Sequence, residues 1–346
     1  MEHLINGYLH DLLNNFEEYS LTEEDIKKGN RDRAEFITEK LGRKKFRRRV
    51  LAEKTRQTIL EKVKLSIVDD RPLHFVIPFG GYKHFWNPSH PEPDWAELFH
   101  FKYLTDYVSP IIKVHKPGVI IEYMSEDLIL PRMNNYPEEA VQAYSTVFMD
   151  TIAWYNKQIP NNLVFRFFKV SDRCNSKKII QKVESLLPER KAKFAQLSPE
   201  EKERELHRSY RSVFWDGKVD LTGLTEQEKL DRIIESRLIE LAYYETEALP
   251  ENMGDYLGED NHICLVFSFG TTHDNDEYQD LTLGSTCGSV VDFWIGRGIL
   301  EKKEDRLLPT IISKNQHEDI KDKLVQVDVD GILPFKNFQK IEMVTL

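Results

Sequence analysis

Cysteine is scarce. Cys174, Cys264 and Cys287 stand far apart in 346 residues. They form neither a CxxC pair nor an even disulfide framework, which suits a reducing cytoplasm. No stretch approaches the roughly 18 uninterrupted apolar residues of a membrane span. The opening MEHLINGYLHDLL lacks the basic start and long apolar run of a secretory leader. Positive charge is also short: 58 acids against 48 bases leave a net charge of −10. That argues against a dedicated nucleic-acid binder, because neutralising phosphates needs a surplus of cations on some face. Several signatures are missing as well. No GxGxxG follows the first strand-like run, and there is no Walker lysine, GxSxG, kinase set or HExxH. NTP hydrolysis, common dinucleotide binding and α/β-hydrolase chemistry are therefore disfavoured. The expectation is a soluble cytoplasmic protein with no membrane partner, no bound metal and no redox cofactor.

Apolar residues are present in quantity, 40% hydrophobic with 11% aromatic, enough for a sizeable core. Residues 1–67 read as a helical N-terminal extension, with Ile5, Tyr8, Leu12, Leu13 and Phe16 at helical spacing and a helix start at Leu21–Asp25. A second helical stretch from Lys44 to Lys64 carries a basic cluster, Arg43 to Arg49. Apolar runs at 73–79, 118–124 and 163–170 read as strands, and 94–108 and 137–155 as amphipathic helices between them. Strands resume at 263–269, 281–283, 290–295 and 324–329, after a charged helical excursion over 176–247. This alternation predicts a layered α/β domain over 68–346.

Candidate chemistry gathers where strands end, because ligands of open α/β sheets bind outside the carboxyl ends of strands. Residues 78–97 (PFGGYKHFWNPSHPEPDWAE) place two glycines, Lys83, His84, Trp86, Asn87 and His90 between a strand and a helix. Lys83 suits an anion or, if desolvated, an amine base. Asp94 followed by Glu97 reads as a capping box. Ser125-Glu126-Asp127 puts two carboxylates at the next strand end, with Arg132 close behind. Arg166 interrupts an apolar strand on the face of Val164 and Phe168, where burial calls for an anionic partner, either a carboxylate or a bound anion. His273, with Asp274 or Asp276 to orient it, follows the strand at 263–269. GSTCGS at 284–289 has the glycine and hydroxyl content of a phosphate loop.

The segments DDRPLHFVIPFGGYKHFWNP and PDWAELFHFKYLTDYVSPIIKVHKPGVIIEYMSEDLIL resemble the core of the isonitrile (isocyanide) synthase family, the PvcA-like enzymes. Pro78, Lys83, Asn87, Pro88, Asp94, Glu97, Pro117, Gly118, Ser125 and Glu126 fall in matching order over residues 55–150. The family's Ser-Asp-Gly-like turn is Ser-Glu-Asp here. The resemblance implies a Rossmann-like core and an enzyme that condenses an amino acid amine with ribulose 5-phosphate. For such chemistry, residue type and position suggest catalytic roles for Lys83, Glu126, Asp127 and His273, and substrate binding by Tyr82, Trp86, Asn87, Arg132 and Arg166. Two other classes stay open: a non-catalytic binding protein using a basic helix over 43–56, and a metal-dependent hydrolase using His84 and His90.

Overall fold

In the computed structural model, the residues described are 2–14, 19–46, 51–80, 83, 92–134, 136–210, 221–243, 245–246, 261–268, 281–284, 286–289, 291–329 and 331–345. Five parallel strands form the central sheet: β1 (Leu73–Phe79), β2 (Val119–Ser125), β3 (Leu163–Lys169), β4 (Ile263–Ser268) and β5 (Leu281–Gly284), in the order β3-β2-β1-β4-β5. This is the doubly wound Rossmann order, with its switch point between β1 and β4. The missing glycine fingerprint argued only against dinucleotide binding, and the topology does not depend on it.

Helices α1 (Glu2–Asn14), α2 (Glu23–Arg31), α3 (Arg33–Leu41) and α4 (Glu53–Val68) precede the sheet. α2 starts where the sequence predicts, with a Thr22–Asp25 capping box. The helix read from Lys44 is corrected: residues 44–46 form a turn, and α4 begins only at Glu53. Its N-cap, Ala52, has no capping side chain, so no local signal marks that start. The basic segment 43–56 is therefore not one helix. Phe16 and Arg47 to Arg49 lie outside the described residues.

α5 (Trp95–Val114) and, after α6 (Leu130–Asn134), α7 (Glu138–Tyr155) cover one face of the sheet. There Phe75, Ile77, Phe79, Ile121, Tyr123, Phe165 and Leu265 meet Phe99, Phe101, Tyr144 and Phe148 in the main apolar cluster. Alternation sends Val76, Met124, Phe168 and Cys264 to the other face. Those residues pack against Ile179 and Val183 of α9 (Ser176–Gln196), and against Ala242 and Tyr243 of α11 (Glu226–Tyr243). The charged excursion is thus part of the second helical layer, joined through α8 (Val170–Arg173) and α10 (Pro199–Tyr210).

A second sheet, not foreseen, has the order β7-β6-β9-β8 from β6 (Arg297–Lys303), β7 (Arg306–Ile312), β8 (Val325–Asp328) and β9 (Lys340–Thr345), with α12 (Lys314–Ile320) between β7 and β8. Of the strand expected at 290–295, the described residues 291–295 form a bend and a turn instead, and the chain becomes extended only at Arg297. Among the described residues no helix is long and apolar enough to cross a membrane.

Candidate functional site

The chain leaving β1 carries Lys83 back against the start of α5. Its ammonium, 2% exposed, lies 2.7 Å from Glu97 Oε2 and 2.8 Å from Asp94 Oδ1. The expected capping box at Asp94 and Glu97 is present: Ala96 N–H donates to Asp94 Oδ1 and Asp94 N–H donates to Glu97 Oε2, each at 2.8 Å. Two further elements close around it. The Tyr144 hydroxyl of α7 donates to Glu97 Oε1 at 2.9 Å, and the Gly298 N–H of β6 donates to Asp94 Oδ1 at 3.2 Å. One cation thus faces two carboxylates inside the protein.

Burial dominates the electrostatics. Glu97 is 0% exposed, and loss of water pushes its carboxyl up to about 7 against the pull of the Lys83 charge. One turn further along α5, His100 is buried and held neutral, its pKa well below the ordinary value because no water stabilises a charge. Its Nδ1 meets Thr286 Oγ1 at 2.6 Å, and its ring stacks on Phe293 with centroids 3.9 Å apart. Its Nε2 and the Tyr123 hydroxyl are both buried without a hydrogen-bonding partner among the described residues. Such atoms are uncommon inside proteins and mark places for water or ligand. The cluster offers a carboxyl that exchanges a proton near neutral pH, beside an ammonium and unused polar atoms.

Of the other expected residues, those described lie outside this cluster. Tyr82, His84, Trp86, Asn87, His90, His273, Asp274 and Asp276 lie outside the described residues. Glu126 follows β2, its N–H donating to Phe79 O at 2.9 Å. Asp127 accepts from Ser171 N–H at 3.0 Å, bracing α8, and burial raises its pKa. Arg132 is exposed and donates to Leu128 O one turn back at 2.6 Å. The burial expected for Arg166 is corrected: β3 is an edge strand, so its side chain extends into solvent. It lies beside Arg173 and Glu122, and Glu122 is already bound by His74 (2.9 Å) and Arg173 (3.0 Å). Arg166 and Lys83 therefore do not share a hollow. The former leaves the sheet on the face opposite Phe165, while the latter is enclosed against α5. Within GSTCGS, Thr286–Gly288 form a short 3-10 turn, and Thr286 is the partner of His100. The sequence reading missed Tyr123 and Tyr144 as site residues, and weighed His100 only as a metal ligand beside His84 and His90. A usable signal was there: Glu97 and His100, three apart, are the polar pair on the otherwise apolar start of α5.

No family model matches the chain, and no curated protein matches it in sequence. A solved structure does. The crystal structure of the PvcA protein from Pseudomonas aeruginosa superposes with a TM-score of 0.61 at 16% identity, covering 90% of this chain and 99% of that one. The chain has a PvcA-like fold. The likeness spans the PvcA protein almost end to end.

Proposed function

We propose that this protein is a cytoplasmic, PvcA-like small-molecule biosynthetic enzyme, resembling isonitrile synthases, that joins the amine of an amino acid to the ketone carbon of a sugar phosphate such as ribulose 5-phosphate. The observation that carries the reading is the buried Glu97 carboxyl, pushed up to about 7, in contact with the Lys83 ammonium beneath the carboxyl ends of the central strands. Joining an amine to a ketone requires a proton to leave the ammonium and another to reach the departing hydroxyl. A group half protonated at neutral pH serves both steps, and general acid–base catalysis of this kind contributes roughly 10²–10⁴-fold. In this reading Glu97 moves the proton, Lys83 holds the carboxylate in place, and the Tyr123 hydroxyl and His100 Nε2 contact the substrate. Glu126 and Asp127 border the same strand ends.

The test is incubation with ribulose 5-phosphate and a panel of amino acids, followed by mass spectrometry. The expected product is an amino acid with one carbon gained and two hydrogens lost. Glu97→Gln should lower turnover by about 10²-fold or more while far-UV circular dichroism is unchanged. Failure of every amino acid to react with folded protein would overturn the reading.

A further inference from the structure

A hollow lies on the other flank of α5 from the Glu97 cluster. Phe99, Lys102, Tyr103 and Asp106 recur there at helical spacing, turned away from Glu97 and His100. They wall a cavity of about 500 Å³, within the range of small-molecule sites. Two motifs distant in sequence meet on it: the basic segment, through Lys44 and Lys45, and the glycine-rich turn, through Gly284 and Gly288. Gly284 N–H donates to Phe46 O at 2.7 Å and fastens the two segments together.

We propose that this cavity binds a nucleotide, its phosphates on Lys44 and Lys45 and its base on the apolar wall. The charges point to an anion. Lys102 is paired with Asp106, whereas Lys44 and Lys45 are exposed and have no carboxylate partner among the described residues. Two exposed ammonium groups in a chain of net charge −10 create a local positive field that draws phosphates. The rest of the wall points to a planar base rather than a sugar. Leu12, Phe46, Phe99 and Pro309 are apolar. The Tyr103 hydroxyl already donates to Gly284 O (3.0 Å) and Phe46 O (3.3 Å). The one carboxylate is held by Lys102, so few groups remain to bind several sugar hydroxyls. The site is separate from the Glu97 cluster and does not depend on the reaction proposed there.

Titration with the fluorescent N-methylanthraniloyl ester of ADP tests this on the full-length protein. Saturable binding is expected, displaced by unlabelled ADP and not by ribulose 5-phosphate. The double reversal Lys44→Glu, Lys45→Glu should weaken it at least about tenfold with circular dichroism unchanged, and Lys191→Glu on the exposed surface of α9 should leave it intact. Three results would each overturn the proposal: no saturation at millimolar ligand, equal displacement by the sugar phosphate, or undiminished affinity in the double variant.

Discussion

Glu97 serves at once as helix cap, ion-pair partner and titrating group, and these roles have opposite pH dependence. Its carboxyl moves from an ordinary 4.5 up to about 7 on burial. Between those values the folded protein keeps a proton that the unfolded chain has lost. Its contribution is therefore full below about pH 4.5 and declines as pH rises through 7. The decline is on the order of 3 kcal/mol. Urea midpoints at pH 5 and pH 8 should differ more for the wild type than for Glu97→Gln, which keeps a capping side chain but does not titrate. Equal differences in the two proteins would remove Glu97 as the titrating group. Lys83→Met leaves the buried Glu97 and the half-buried Asp94 without their cation and should cost about 3–5 kcal/mol at pH 8. The cost should shrink at pH 5, where Glu97 is protonated. The capping role was legible from the Asp94–Glu97 spacing alone. The rest was not, because Tyr144 and Gly298 arrive from elements 47 and 204 residues away from their partners.

At the scale of elements, legibility followed local chemistry. α5 reads as ending at Val108, yet it runs to Val114 through Pro110. A proline inside a helix frees the carbonyl four residues back. Here that carbonyl, Asp106 O, receives Arg43 Nη2 (3.1 Å) and Ser109 Oγ (2.9 Å). The compensating guanidinium comes from the turn before α4, where no reading of the helix alone would find it. The β6–β7 hairpin was invisible for a related reason. Its turn places Glu304 at φ 54°, a conformation that sequence reading expects of Asn or Gly. β6 also approaches α5 closely enough that a Cβ on Gly298 would lie 2.3 Å from Ala96 N. Gly298→Ala should therefore push the second sheet off the cap of α5, with a loss of about 1–3 kcal/mol in chemical denaturation. On the opposite border, Asn156 bonds both the N–H and the C=O of Phe165 in the edge strand β3, each at 2.9 Å. An open edge invites pairing with another chain. Asn156→Ala should leave those groups exposed and raise self-association, seen as a concentration-dependent mass in light scattering. A mass unchanged up to high concentration would show that the edge is protected by other means.

For the molecule as a whole, the alternation of apolar runs and amphipathic helices was sufficient to predict a layered α/β domain, because each buried strand is specified by its own residues. Which elements share a core is a long-range property, and it bears on the boundary expected after residue 67. Ile5 and Leu9 of α1, Phe36 and Ile37 of α3, and Ile59 and Val63 of α4 belong to the same apolar cluster as β1, β2 and Met343 of β9. Polar ties cross the boundary as well: the Tyr107 hydroxyl donates to Leu41 O at 2.9 Å, and Phe46 O receives Gly284 N–H. An extension held in this way cannot be removed as a separate unit, since its departure would expose the inner flank of α5 and a large apolar area, at about 25 cal/mol per Å². Urea unfolding followed by tryptophan fluorescence and by far-UV circular dichroism should therefore give coincident single transitions, and a chain starting at residue 68 should lack a cooperative transition. Separate transitions, or a truncated chain that melts like the parent, would mean that the first four helices contribute little to the stability of the sheet and that the shared cluster is weaker than its burial implies.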